Sequence, residues 1–197
     1  MRHYLSRISF SGELAYEINV PADHGQAAWN ALLETGREDG VGVYGIEAMS
    51  AFRIEKGHVA GPEINGQTTI GDLGLGGLQS GQKHNIGKSL AIREGLIDPA
   101  RPAVVGLVPV DGKTWIKAGA QLVENPDAPP PVAMLGHVTS IAYSGELNHP
   151  IALALLSGGK ERAGEELYAA FPLRNEAVRV RVVSPHFVDP DGERMRV

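Results

Sequence analysis

Two spacings of apolar residues divide the chain. In the opening stretch "ISFSGELAYE" (8–17), Ile8 and Phe10 share a face, and Leu14 and Tyr16 follow after Ser11-Gly12. That alternation, broken by turn residues, predicts a strand pair over 6–20. The period then lengthens. Trp29, Leu32 and Leu33 predict a helix over 22–35, with Asp23 as N-cap and Gly36 just past its end. Ile46, Met49 and Phe52 place a second helix over 46–56, closed by Gly57. Residues 61–80 carry too many glycines for a helix and read as a connector of turns. Past residue 102 the rhythm changes to short β-rich runs. "AVVGLVPVD", "AQLVE", "AMLGHVTSIAYS", "PIALALLS", "EELYAAF" and "AVRVRVVSP" are runs punctuated by Gly, Pro, Asn and Asp. Such spacing predicts a small antiparallel barrel or sandwich. The proline-rich "ENPDAPPP" (124–131) falls between two of these runs as a loop. The expected class is α+β, with helices and an antiparallel sheet in 1–100 and an all-β domain in 101–197.

Composition narrows the possibilities. A formal charge of −5 and a pI near 5.8 leave no basic footprint for nucleic acid. With no cysteine, disulfides and thiolate metal sites are out of reach. The longest apolar run, "IALALL" (151–156), is far too short for a helical membrane span, and the N-terminus has no apolar signal core. A soluble chain of the cytoplasm is the expectation.

Familiar catalytic signatures are missing. "GDLGLGG" has phosphate-loop glycines but neither the strand-to-helix context nor a Lys-Ser/Thr, so it reads as a turn. The seven histidines are scattered without metal-ligand spacing, so no metal is expected, and Ser144 lacks a nucleophile elbow. The glutamates of the first stretch are better candidates. Glu13 lies beside the turn and should be solvated. Glu17 sits between Tyr16 and Ile18, either on a solvent face or aimed at a ligand. A carboxylate can accept two hydrogen bonds side by side from an N–H edge, but pattern alone does not choose between these two places.

A resemblance adds to this reading, and it runs through almost the whole chain. "SFSGELAYEINVP" is similar to the Y-T-G-E-x-G-Y/F-E-I motif of the glycine-cleavage T-protein family, the folate-dependent aminomethyltransferases. "YGIEAMSAFRIEKG" resembles that family's G-x-x-A-R-D-x-L-R-x-E-A-G helix. "DLGLGGLQ", "IGKSL" and "GHVTSIAYSGELNHPIALALL" follow in the family's order. Within the family, "SFSGELAYE" and the closing "SPHFVDPDGER" are most like the C-terminal part of the α subunit of heterotetrameric sarcosine oxidase. The resemblance implies a folate-binding α+β domain followed by an antiparallel β-barrel. It also implies transfer of the one-carbon unit of an oxidised N-methyl amine to tetrahydrofolate. The family glutamate that grips the pterin falls on Glu17, and the aromatic lining the same pocket falls on Phe10. Arg53 and Glu55 match the helix's Arg and Glu, with a structural role expected for both.

Departures temper the match. Met49 stands where the T-protein has an arginine, Gly77 where the family has tryptophan, and His84-Asn85 where it has Asp-Phe. The family's catalytic aspartate lies well upstream of the first motif, so this chain is expected to begin within a domain. No catalytic residue is assigned, and the segment alone is expected to lack turnover. No flavin or dinucleotide fingerprint is visible, which places flavin and NAD on other segments or subunits. The expected partners are folate and either other sarcosine-oxidase-type subunits or further copies of the chain. Two alternatives stand beside this reading: a non-catalytic assembly module of the same fold, and an aminomethyltransferase of glycine cleavage.

Overall fold

The first alternation becomes an antiparallel ribbon of β1 (Tyr4–Arg7) and β2 (Tyr16–Asn19), in which Ser6 faces Glu17 and Arg7 faces Tyr16. The computed structural model describes residues 3–196. The link between the two strands is wider than the expected Ser11-Gly12 turn and takes in residues 8–15. A 3-10 turn (Ala22–His24) leads into α1 (Gly25–Thr35). Asp23 lies inside that turn and its side chain caps nothing. Pro21, at φ −55°, starts the turn before Asp23 could act as a cap. Gly36 ends α1 at φ −81°, without the left-handed turn expected of it. α2 (Ile46–Lys56) has the expected bounds, and Gly57 closes it at φ +75°. The connector that follows is a series of turns with one 3-10 turn at Gly76–Leu78, ending in the single-turn α3 (Glu94–Ile97).

Six strands follow: β3 (Pro102–Pro109), β4 (Gln121–Val123), β5 (Gly136–Ser144), β6 (His149–Ser157), β7 (Glu166–Phe171) and β8 (Glu176–Val183). They close into an antiparallel barrel in the order β3-β6-β5-β4-β7-β8. Closure leaves no free edge in this sheet. The uninterrupted apolar run of β6 now has a cause, because the strand is buried on both faces. Ala152, Ala154 and Leu156 point into the barrel with Leu107, Leu122, Val138, Leu167 and Val180. Ile151 and Leu153 point outward and pack with Ile54 of α2, Ala142 and Phe187.

A bulge in β5 sets up the junction with α2. The pairing with β6 slips between Val138 and Ser140, leaving Thr139 as the extra residue. Val138 therefore faces the barrel interior, while Ser140, Ala142 and Ser144 face α2. There they meet buried charge. Arg53 donates to a Glu63 carboxylate oxygen at 3.0 Å, to the Ser140 hydroxyl at 2.7 Å and to the His58 carbonyl at 3.2 Å. Ser140 donates to the other Glu63 oxygen at 2.5 Å, and the Ala60 amide donates to Glu63 at 2.8 Å. Further along β5, at its last residue, Ser144 donates to Glu55 at 2.5 Å. A second tie joins the connector to β3, where Arg101 grips Asp72 at 2.6 Å and the Val104 amide donates to the Asp72 carbonyl.

The C-terminal "SPHFVDPDGERM" is a strap over the end of α2. Amides of Phe187 and Val188 donate to the Glu55 carbonyl, and Lys56 donates to the Asp189 carbonyl at 2.5 Å. Two glycines permit the close approach. A Cβ on Gly57 would lie 2.4 Å from the Pro185 oxygen, and one on Gly106 would lie 2.3 Å from the Ser184 oxygen.

Removing one partner of a buried ion pair strands the other. Glu63→Gln should therefore lower unfolding free energy by about 3–5 kcal/mol. In urea titrations, the paired replacement Arg53→Met with Glu63→Leu should cost less than Glu63→Gln alone. The acid limb of stability follows from the same groups. Burial pushes Glu63 and Asp72 upward. Hydrogen bonds (Ser140, Thr139 and Ala60 to Glu63; Arg101 and Thr69 to Asp72), together with the Arg53 and Arg101 charges, outweigh it and hold both carboxyls below their ordinary values. A depressed folded value gives stability that is full above the unfolded value, about 4 for a carboxyl. That stability is lost as pH falls through the folded value. The urea midpoint should drop steeply below about pH 4, and Glu63→Gln should flatten that drop.

Candidate functional site

Phe10 sits on the 8–15 link, which several contacts pin in place. Ser9 accepts the Gly12 amide at 2.8 Å, the Leu14 amide donates to the Arg194 carbonyl at 3.1 Å, and Arg7 donates to the Met195 carbonyl at 2.8 Å. The terminal strap thus holds the loop as well as the helix. The Phe10 ring leans on His58, with centroids 4.9 Å apart and planes at 59°, and it remains 40% exposed. His58 follows the left-handed Gly57 at the end of α2. Its amide donates to the Arg53 carbonyl at 2.8 Å and its carbonyl accepts the Arg53 guanidinium. Burial of its packed side, and then the Arg53 charge, push its pKa below the ordinary imidazole value.

Glu17 lies on β2 and is exposed. Residues opposite one another in an antiparallel ribbon share a face. Glu17 and Asn19 therefore stand with Tyr4 and Ser6, while Tyr16 and Ile18 stand with Leu5 and Arg7. Among the described residues the Glu17 carboxylate has no hydrogen-bond or ion-pair partner. Phe10 and Glu17 thus belong to one ribbon, on its link and its second strand. Glu13 is exposed on the link, apart from the strand that carries Glu17. Met49 is half-buried on α2, and Gly77 sits in the exposed 3-10 turn.

Two features were not legible in the sequence. His58 acquires its place only once the helix end and the 8–15 link come together. The second is a cleft of about 670 Å³ formed by the connector, lined by Ile70, Leu78, Gln79, Lys83, His84 and Leu90 among others. His84 and Asn85, the polar departure from the family pattern, both lie in its wall. Among the described residues no trio of acids and histidines could hold a metal, and no helix is long and apolar enough to cross a membrane.

Comparison with known proteins agrees with this architecture. Residues 1–83 match the family described as GCVT N-terminal domain, and residues 103–189 match the Glycine cleavage T-protein C-terminal barrel domain. The sarcosine oxidase subunit alpha of Rhizobium meliloti (strain 1021) is 44% identical over 194 residues, 98% of this chain and 20% of that subunit. The corresponding subunit of Corynebacterium sp. (strain P-1) is 37% identical over 196 residues, again 20% of its length. An aminomethyltransferase of Symbiobacterium thermophilum is 30% identical over 190 residues, 93% of this chain and 47% of that protein. The crystal structure of the glycine cleavage system aminomethyltransferase T from Bartonella henselae superposes with a TM-score of 0.71 at 23% identity. That match covers 95% of this chain and 50% of the other, a likeness of fold. The chain thus spans a fifth of the sarcosine oxidase subunits and about half of the aminomethyltransferases it matches. Two ordered domain matches, a shared barrel topology and these relatives lead to one assignment: the chain belongs to the glycine-cleavage T-protein family.

Proposed function

We propose that this chain is the tetrahydrofolate-binding part of a sarcosine-oxidase-α-type protein, which passes the one-carbon unit of an oxidised N-methyl amine to tetrahydrofolate. The observation that carries the reading is that one ribbon carries both a braced aromatic, Phe10, and an unpartnered carboxylate, Glu17. The donor set fits the chemistry of a pterin. Phe10 offers a ring face for stacking, and Glu17 offers two acceptor oxygens to a flat edge bearing N–H groups. When bound, tetrahydrofolate supplies the amine nitrogens that receive the carbon unit. The residues of this chain bind and orient, so proximity is their contribution to rate. Oxidation of the amine belongs, in this reading, to a flavin on other segments or subunits, where NAD is also expected. The division of work near residue 100 is part of the same proposal, with ligand contacts before it and the supporting barrel after it.

A second reading, assembly, has its own observation. Leu5, Tyr16 and Ile18 of the ribbon, Trp29 and Leu32 of α1, Val43 and Tyr44 ahead of α2, and Ile46 at its start are all exposed, Ile46 at 81%. Both outer edges of the two-stranded ribbon are unpaired among the described residues. Apolar surface and open strand edges of this kind mark contact with another polypeptide. The partner is a further subunit or a second copy of the chain, held through residues 4–46 with the barrel little involved.

Titration calorimetry tests the first reading. Tetrahydrofolate should bind, and Glu17→Gln should weaken it by about 1–3 kcal/mol, the usual loss at a charged acceptor. Equal affinity in both proteins would remove Glu17 from the site. Light scattering behind size exclusion tests self-association. At micromolar concentration the expected mass is a multiple of 20.9 kDa. A clean monomer would rule out the second copy as the partner.

A further inference from the structure

We propose that His58 is a positioning residue for the ligand platform: its imidazole backs one side of Phe10 and so holds the other side toward the pterin. The inference rests on the folate reading above and adds a residue to it. Phe10 sits on an eight-residue link, where an unbacked ring would turn freely and would have to be ordered when ligand arrives. His58 removes that freedom through a ring contact at 4.9 Å.

The support for His58 leads back to the barrel. Its amide and carbonyl are both bonded to Arg53, and Arg53 is locked by Glu63 and by Ser140 of β5. Ligand contact at the ribbon is thereby referenced to a buried cluster between α2 and the barrel. Among the described residues the His58 ring makes no hydrogen bond, so the aromatic contact is what its side chain contributes there. Burial of its packed side and the neighbouring Arg53 lower its pKa, although the residue as a whole remains exposed.

The test uses the full chain, calorimetry with tetrahydrofolate and thermal unfolding. An aromatic pair carries enough energy that His58→Ala should weaken binding about 3- to 10-fold, with an unchanged unfolding midpoint. His58→Phe, which restores a ring but no ionisable group, should return affinity to within about twofold of wild type. In NMR spectra of the wild type, the His58 ring protons should carry a ring-current shift that Phe10→Ala abolishes. His58→Ala binding as tightly as wild type, while Glu17→Gln weakens, would overturn the positioning role and leave the folate reading standing. A loss that His58→Phe does not restore, or that tracks a lowered midpoint, would make His58 structural and overturn the proposal. Wild-type chain that binds no tetrahydrofolate would overturn the folate reading and this role with it.

Discussion

Everything that orients the ribbon depends on a guanidinium placed where water does not reach. Arg53, Glu63 and Ser140 are all buried, and each is satisfied by the others. Desolvating two charges costs several kcal/mol apiece, so such a cluster is retained only where its geometry does something that packing alone would not. Here it fixes direction. Apolar contacts of Ile54 against Ile151 and Leu153 would tolerate some sliding of α2 on the barrel. Arg53 reaches β5, the connector and the His58 carbonyl together, and does not. The helix end therefore has one position. The strap's hydrogen bonds to Glu55 and Lys56 use that same position.

Support is uneven along the molecule. The barrel buries alternate residues of nearly every strand and covers β6 from both sides. The ribbon is exposed at every residue of both strands, and two strands alone are marginal in water. Its order comes from outside, through the strap at Leu14 and Arg7 and through His58 at Phe10. Local opening is therefore expected to begin in the ribbon and to end in the barrel.

What the sequence disclosed follows from which interactions are local. α2 was legible because its stripe and its closing glycine lie within a dozen residues, and the strands because short β-rich runs are punctuated by Gly, Pro, Asn and Asp. The bulge at Thr139 left no compositional mark, yet it alone turns Ser140 and Ser144 toward α2. Those serines stand 87 and 89 positions from Arg53 and Glu55, so no spacing rule connects them. Asp23 looked like a cap because capping residues are read by type, and Pro21 had already set the entry angle. Phe10 and Glu17 came to notice through resemblance to a family. Their common ribbon is geometry, and the histidine behind Phe10 was visible only in the fold.

The register of that ribbon bears on both proposed roles. Glu17 and Asn19 share a face with Tyr4 and Ser6, while Leu5, Tyr16 and Ile18 occupy the other. A partner that covered the apolar face would leave the Glu17 face open. It would also order a two-stranded ribbon that is marginal alone in water, so less ordering would be left for a ligand to impose. Ligand binding and assembly are then not competing uses of one surface. Alternation along four-residue strands assigns them to opposite sides. On this argument a partner on the Leu5–Tyr16–Ile18 face strengthens the ligand site on the other.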